Sequence, residues 1–289
     1  MPDPQLLRRI WTVCLVVVGT ALIALTLTRD FSLAAGLGRG SALFFSLALL
    51  AFFCEFVDSS LGMGYGTTLT PILLIVGFSP LEIVPAVLFS ELISGLSAGL
   101  MHHRLGNVDL GRGSRARRIT TILAGCSVLG AVTSVVVAVS LPNSLVKLYI
   151  GVMILGIGLF ILIGRHVAGS FSWPKIIGLG TLAAFNKGIS GGGYGPLVTG
   201  GQVLVGVPEK QAVGITSFAE GVMCLVGLAL YLVLEGALAW YLAAPLALGA
   251  IVSVPAATWT VKILPEKLLR QSIGYATIFL GTLTIIKLL

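Results

Sequence analysis

Five ionisable side chains interrupt otherwise apolar stretches of this sequence: Glu55, Asp58, Glu91, Lys187 and Glu220. In such surroundings a charge is expensive unless it is paired or put to use. The chemistry open to these groups is the binding of a charged solute or the uptake and release of protons. Asp58 and Lys187 each stand just before a glycine cluster, GMGYG at 62–66 and GGGYG at 191–195. Two blander assignments stay open. Asp58 and Lys187 could be no more than a mutual ion pair, and Glu91 and Glu220 neutral, hydrogen-bonded structural acids.

Glycine-rich clusters often cradle phosphates, but neither of these ends in the Lys-Ser/Thr of a P-loop or sits in a strand–turn–helix context. They are instead related to each other. An ungapped shift of 129 residues places Gly62, Gly64, Tyr65 and Gly66 on Gly191, Gly193, Tyr194 and Gly195. The same shift matches Phe56, Thr70, Val76, Gly77, Val84, Phe89 and Glu91 with Phe185, Thr199, Val205, Gly206, Val213, Phe218 and Glu220, and sets Asp58 on Lys187. Coincident Gly, Tyr, Thr and Glu are hard to obtain from a limited apolar alphabet. They imply an internal duplication.

The elements that must position these residues are membrane helices. Of 289 residues, 56% are hydrophobic and 10% charged, and the mean hydropathy is +1.04. That charge content is too low for a water-facing surface, so lipid is the solvent of most of the chain. Apolar stretches fall near 10–28, 41–57, 64–78, 82–101, 118–140, 144–164, 174–186, 193–207, 211–234, 238–261 and 268–288. Those at 41–57, 64–78, 174–186 and 193–207 are short, and each pair is joined by one glycine cluster, the pattern of broken helices or re-entrant hairpins. The expected fold is an all-α polytopic membrane protein. It comprises an N-terminal transmembrane helix and loop (1–40), a first repeat (41–165) and a second repeat (166–289). Each repeat holds a hairpin and three full spans. That number of crossings is odd however the hairpins resolve, so the second repeat enters from the opposite side and is inverted.

Inversion brings the two hairpin tips together near the bilayer midplane. After each cluster a helix starts, and its unpaired N–H groups and positive dipole end face the tip, a setting for an anion. The candidate anion-binding residues are Lys187, Asn186, Ser59, Ser60 and Ser190, with the tip residues Gly62, Gly64, Tyr65, Gly66, Gly191, Gly193, Tyr194 and Gly195. Asp58, Glu91, Glu220 and Glu55 are candidate proton-coupling groups, or the lining of a cation pathway. Close helix packing is the alternative role of the glycines.

Other classes are excluded or weakened. Cys14, Cys54, Cys126 and Cys224 sit singly in apolar segments and read as small buried hydrophobes. His102 and His103 end a span, and two adjacent side chains diverge on a helix, so no metal site is expected. No nucleophile–base motif of a hydrolase or protease is present, which leaves neither an enzyme nor a cofactor to argue for. The net charge of +7 reflects topology rather than nucleic acid. With the N-terminus in the cytoplasm, thirteen Lys and Arg fall inside and only Arg29, Arg39 and Lys147 outside. The basic stretch 104–118 is then a cytoplasmic loop, with an anionic-lipid role as a minor alternative. The run 10–28 is longer than a usual signal-peptide core, so an uncleaved helix is expected. The partners implied are a small anion and the lipid bilayer of the cell (inner) membrane, and a homo-oligomer is compatible with the sequence.

FFCEFVDSSLGMGYGTTLTPILLIVGFSP and AAFNKGISGGGYGPLVTGGQVLVGVP resemble the two signature stretches of the TauE/SafE sulfite exporter family. The likeness lies in the Gly-rich turn, the following Thr or Pro, the apolar run and the Gly-x-Pro exit, and it spans both halves. It implies a secondary transporter, in the direction of export, for sulfite or small organosulfonates. The first repeat departs from the family pattern at Met63 and carries Asp58 beside the supposed anion site.

Overall fold

A computed structural model of the chain describes residues 39–163 and 171–261, with isolated positions near the C-terminus. The expected first helix at 10–28 and the span at 268–288 lie essentially outside these residues. In lipid every backbone polar group must find an internal partner, and apolar runs of this length meet that demand as helices. The described elements are helical: α1 (Arg39–Leu61), α2 (Tyr65–Val76), α3 (Pro80–Arg104), α4 (Arg115–Ser140), α5 (Asn143–Ile163), α6 (Trp173–Ser190), α7 (Tyr194–Leu204), α8 (Glu209–Glu235) and α9 (Trp240–Thr260). Five of them, α1, α3, α4, α8 and α9, are long and apolar enough to cross a membrane.

Sequence punctuation sets the boundaries. Gly77 ends α2 in the left-handed region at φ 102°, and Pro80 opens α3 with the Glu82 carboxylate accepting the Ser79 N–H at 2.7 Å. Ser114 caps α4 by accepting the Arg117 N–H at 3.1 Å. Two expected boundaries are too short. The apolar run at 41–57 continues as helix to Leu61, and that at 174–186 to Ser190. The polar residues closing each helix hydrogen-bond one turn back along it: Ser59 Oγ donates to Glu55 at 2.6 Å, and Ser190 Oγ to the Asn186 carbonyl at 2.7 Å. Each hairpin is therefore a long helix followed by a short one of 12 or 11 residues, not two short helices.

The helices pack in exchanged pairs. α1 lies against α9, α4 against α6, and α3 against α8, with further contacts of α3 with α9 and α4 with α8. A Cβ on Gly249 would overlap the Ala48 carbonyl, and Ser60 Oγ reaches the Ala257 carbonyl at 3.3 Å, so α1 and α9 run parallel. Gly180 faces Leu123 and Gly130 faces Ala184, which makes α4 and α6 parallel too. Gly95 faces Ser217 and Gly221 while Gly99 faces Phe218, so α3 and α8 cross antiparallel on small residues. Shifting by 129 residues turns α1 with α9 into α6 with α4, and α3 with α8 into itself.

Candidate functional site

The two glycine clusters touch, and each glycine in them has an identifiable reason. Gly62 and Gly191 sit at φ 67° and 69°, and Gly64 and Gly193 at φ 139° and 85°, conformations that cost a Cβ-bearing residue dearly. Gly66, Gly192 and Gly195 are needed for contact. A Cβ on Gly66 would overlap the Gly191 carbonyl oxygen, and one on Gly195 would press on the Gly62 carbonyl and lie 2.9 Å from Met63 Cα. Position 66 against 191 and position 195 against 62 are the same contact under the shift.

Beside this crossing lies a buried charge cluster. Lys187, 1% exposed, forms ion pairs with Glu91 and with Glu220, the latter at 2.8 Å. Glu91 and Glu220 are equivalent under the shift, and each is the twelfth residue of its spanning helix, about 17 Å along it at 1.5 Å per residue. That places the cluster midway through α3 and α8. Asp58, the counterpart of Lys187, has a carboxylate oxygen that lies, with one each from Glu91 and Glu220, in a group spanning no more than 4.8 Å. Its Oδ1 accepts the Tyr65 N–H at 3.2 Å, so it occupies the N-terminus of α2. Glu55 stands one turn before Ser59 and accepts Ser59 Oγ at 2.6 Å and Ser94 Oγ at 3.0 Å.

Several expected roles change in this geometry. Lys187 is not a free cation awaiting an anion, because two carboxylates hold it. Its ion-pair partners are Glu91 and Glu220 rather than Asp58. The serine hydroxyls foreseen as anion donors are engaged, and so is the acceptor oxygen of Asn186. Ser60 Oγ donates to the Phe56 carbonyl at 2.6 Å, Asn186 Oδ1 accepts the Tyr149 hydroxyl, and Ser190 Oγ reaches the Gly192 carbonyl at 3.0 Å. The tip tyrosines are buried and tethered, Tyr65 to Ser90 at 2.6 Å and Tyr194 to Ser127 at 3.2 Å. Cys54 and Cys224 are buried among apolar neighbours.

Sequence reasoning missed two residues that hold the tips. His102 is fully buried; its Nε2 donates to the Ser59 carbonyl at 3.0 Å, and its Nδ1 accepts from Asn107 at 3.0 Å. Tyr231, at the equivalent position, donates its hydroxyl to the Gly188 carbonyl at 2.8 Å. Ser59 and Gly188 are themselves equivalent. One bond is thus made twice by chemically different side chains, and an identity search cannot see it. Asn107 also donates to the Thr258 carbonyl at 3.2 Å, tying the loop after α3 to α9.

Among the described residues, two of the cavities reach the surface. One of about 100 Å³ runs from exposed Glu209 and Lys210 at the start of α8 to Ser60 and Thr199 at the first tip. The other, about 710 Å³, lies at the starts of α4 and α6 and is lined by Arg115, Arg117 and Arg118 with Phe171 and Trp173. There the Arg115 guanidinium lies 4.0 Å over the Phe171 ring and that of Arg118 4.6 Å over Trp173.

The model of the family described as sulfite exporter TauE/SafE matches residues 47–284. A relative from Bacillus subtilis (strain 168), "Probable membrane transporter protein YtnM", is 27% identical over 256 residues, covering 83% of this chain and 82% of its own length. No solved structure matches.

Proposed function

This chain belongs to the TauE/SafE family of membrane transporters, and from that membership we propose that it exports a small sulfur-containing anion, sulfite or an organosulfonate, by alternating access. It is a multi-pass membrane protein and not an enzyme. The observation that carries the substrate reading is the buried ammonium of Lys187 beside two crossed glycine tips. The two halves act as inverted repeats about an axis through this point, with the N-terminus in the cytoplasm and the bilayer being the cell membrane. The cavity from Lys210 to Ser60 and Thr199 is the approach from the cytoplasmic side.

Protons enter through charge balance. Asp58, Glu91 and Glu220 surround one ammonium, and a lipid-enclosed cluster is costly with uncompensated charge. When Glu91 and Glu220 take up protons, one for each negative charge the anion carries, they release Lys187, and the anion takes their place. When the anion leaves, the carboxylates reclaim the lysine and the protons depart. Anion and proton therefore occupy the cluster together, and neither carries net charge through the bilayer alone.

The test is sulfite counterflow in proteoliposomes with an imposed pH gradient. Flux is expected to respond to the gradient and to vanish in Lys187→Ala; undiminished flux in that variant would overturn the assignment. One observation favours a second reading: the clustered carboxylate oxygens of Asp58, Glu91 and Glu220 could hold a cation as the coupling ion. Dependence on a sodium gradient at constant pH would select it.

A further inference from the structure

The duplication exposes a difference between two equivalent threonines. Thr199 on α7 is fully used: its hydroxyl donates to the Gly62 carbonyl at 2.7 Å and lies 2.9 Å from Thr216 Oγ1, which also receives Gln202 Nε2 at 2.9 Å. Thr70, its counterpart on α2, faces the equivalent glycine. A Cβ on Gly191 would lie 3.1 Å from Thr70 Oγ1 and 3.4 Å from Val87 Cγ1. Yet Thr70 Oγ1 has no hydrogen-bond partner, in a residue with 0% exposure. The cause is visible in the sequence, because Val87 stands where the second repeat has Thr216. Thr67, one turn earlier on α2 and 1% exposed, is in the same condition. Among the described residues these two are the buried hydroxyls without a partner.

A helical threonine can discharge its hydroxyl on the carbonyl one turn back, as Thr120 does to Ala116 at 2.9 Å. Leaving two unmade in a closed interior is unfavourable, and such exceptions in native proteins call for an explanation. Their setting supplies one. Gly191 N–H bonds to the Lys187 carbonyl at 2.8 Å, so the glycine facing Thr70 is one turn beyond the lysine. Val87 is likewise one turn before Glu91, whose Oε1 is also without a partner. The helix beginning at Tyr194 has no side-chain cap, whereas Asp58 fills the equivalent position on α2.

We propose that Thr70 and Thr67 are the hydroxyl donors of an oxyanion site between the second glycine tip and Lys187, reading two oxygens of a sulfite or sulfonate group. This rests on the anion-transport reading above and specifies where that anion is held. Ser59, Ser60 and Ser190 are spent on the fold, so the two threonines are the hydroxyls left to read an oxyanion.

The experiment measures sulfite binding calorimetrically and thermal unfolding on the same samples of wild type, Thr70→Val, Thr70→Ser and Thr199→Val. Thr70→Val keeps the shape and removes the hydroxyl. It should weaken sulfite binding roughly tenfold to a hundredfold, as for a hydrogen bond to a charged group, while unfolding at the same or a higher temperature. Thr70→Ser should retain affinity within a few-fold. Thr199→Val should lower the unfolding temperature. Wild-type affinity in Thr70→Val overturns the inference, as does equal loss in Thr70→Ser, which would make shape the cause. If wild type binds neither sulfite nor sulfonates, the transport reading fails first and the site falls with it.

Discussion

The two hairpin tips share backbone geometry and differ in charge and hydrogen bonding. At the first, Asp58 caps the following helix and His102 clasps the Ser59 carbonyl. At the second, the helix start is uncapped, Lys187 stands where Asp58 would, and Tyr231 clasps Gly188. Around the first tip Thr199 is satisfied; around the second Thr70 is not. Backbone features, positive φ and glycine contact, are the part kept alike in both halves. Side-chain chemistry is the part that diverged. One tip was finished as a structural joint and the other left with groups that a solute can complete.

The largest effect should come from breaking the charge relation between the tips. Lys187→Met strands two buried carboxylates and should cost about 3–5 kcal/mol, read as loss of folded protein in detergent. The exchange Asp58→Lys with Lys187→Asp keeps the cluster's composition. If the tips are equivalent in space, it should recover most of that stability where either single change does not. Next come the contact glycines. Gly66→Ala and Gly195→Ala both drive a methyl into the opposing tip, at about 1–3 kcal/mol each. Similar shifts in unfolding temperature are expected, and a large inequality would show that the tips do not bear on each other alike. Smaller are the clasps. Tyr231→Phe removes one hydrogen bond and should cost about 1 kcal/mol. His102→Leu strands both Ser59 and Asn107 and should cost more, a difference that thermal unfolding of the pair measures. Smallest is Arg118→Ala at the basic cleft, outside the tips altogether, where about 0.5 kcal/mol is expected from its stacking on Trp173.

Much of this arrangement was legible in residue order. Apolar length gave the helices, and Gly62 through Gly66 with Gly191 through Gly195 gave the turns, because φ requirements leave glycine a narrow choice. Lys187 and the four acids stood out because charge is scarce. Three things were not legible. The helices α1 and α6 overran their apolar stretches because Ser59 and Ser190 hydrogen-bond one turn back, a local bond that hydropathy does not register. The partners of Lys187 come from α3 and α8, and only packing decides that two glutamates rather than Asp58 reach its ammonium. The clasps at His102 and Tyr231 escaped because position, not residue type, is what they share.

The wiring of the charge cluster also bears on how the chain is made. Glu91 and Lys187 are 96 residues apart, so at about 5–20 residues per second the acid waits on the order of 5–20 seconds for its counter-charge to leave the ribosome. In that interval α3 holds an unneutralised carboxylate halfway along its length, and α1 waits for α9, made later still. Early insertion of the first half must therefore proceed without the lysine that pairs with Glu91, and that pair closes only when α6 arrives.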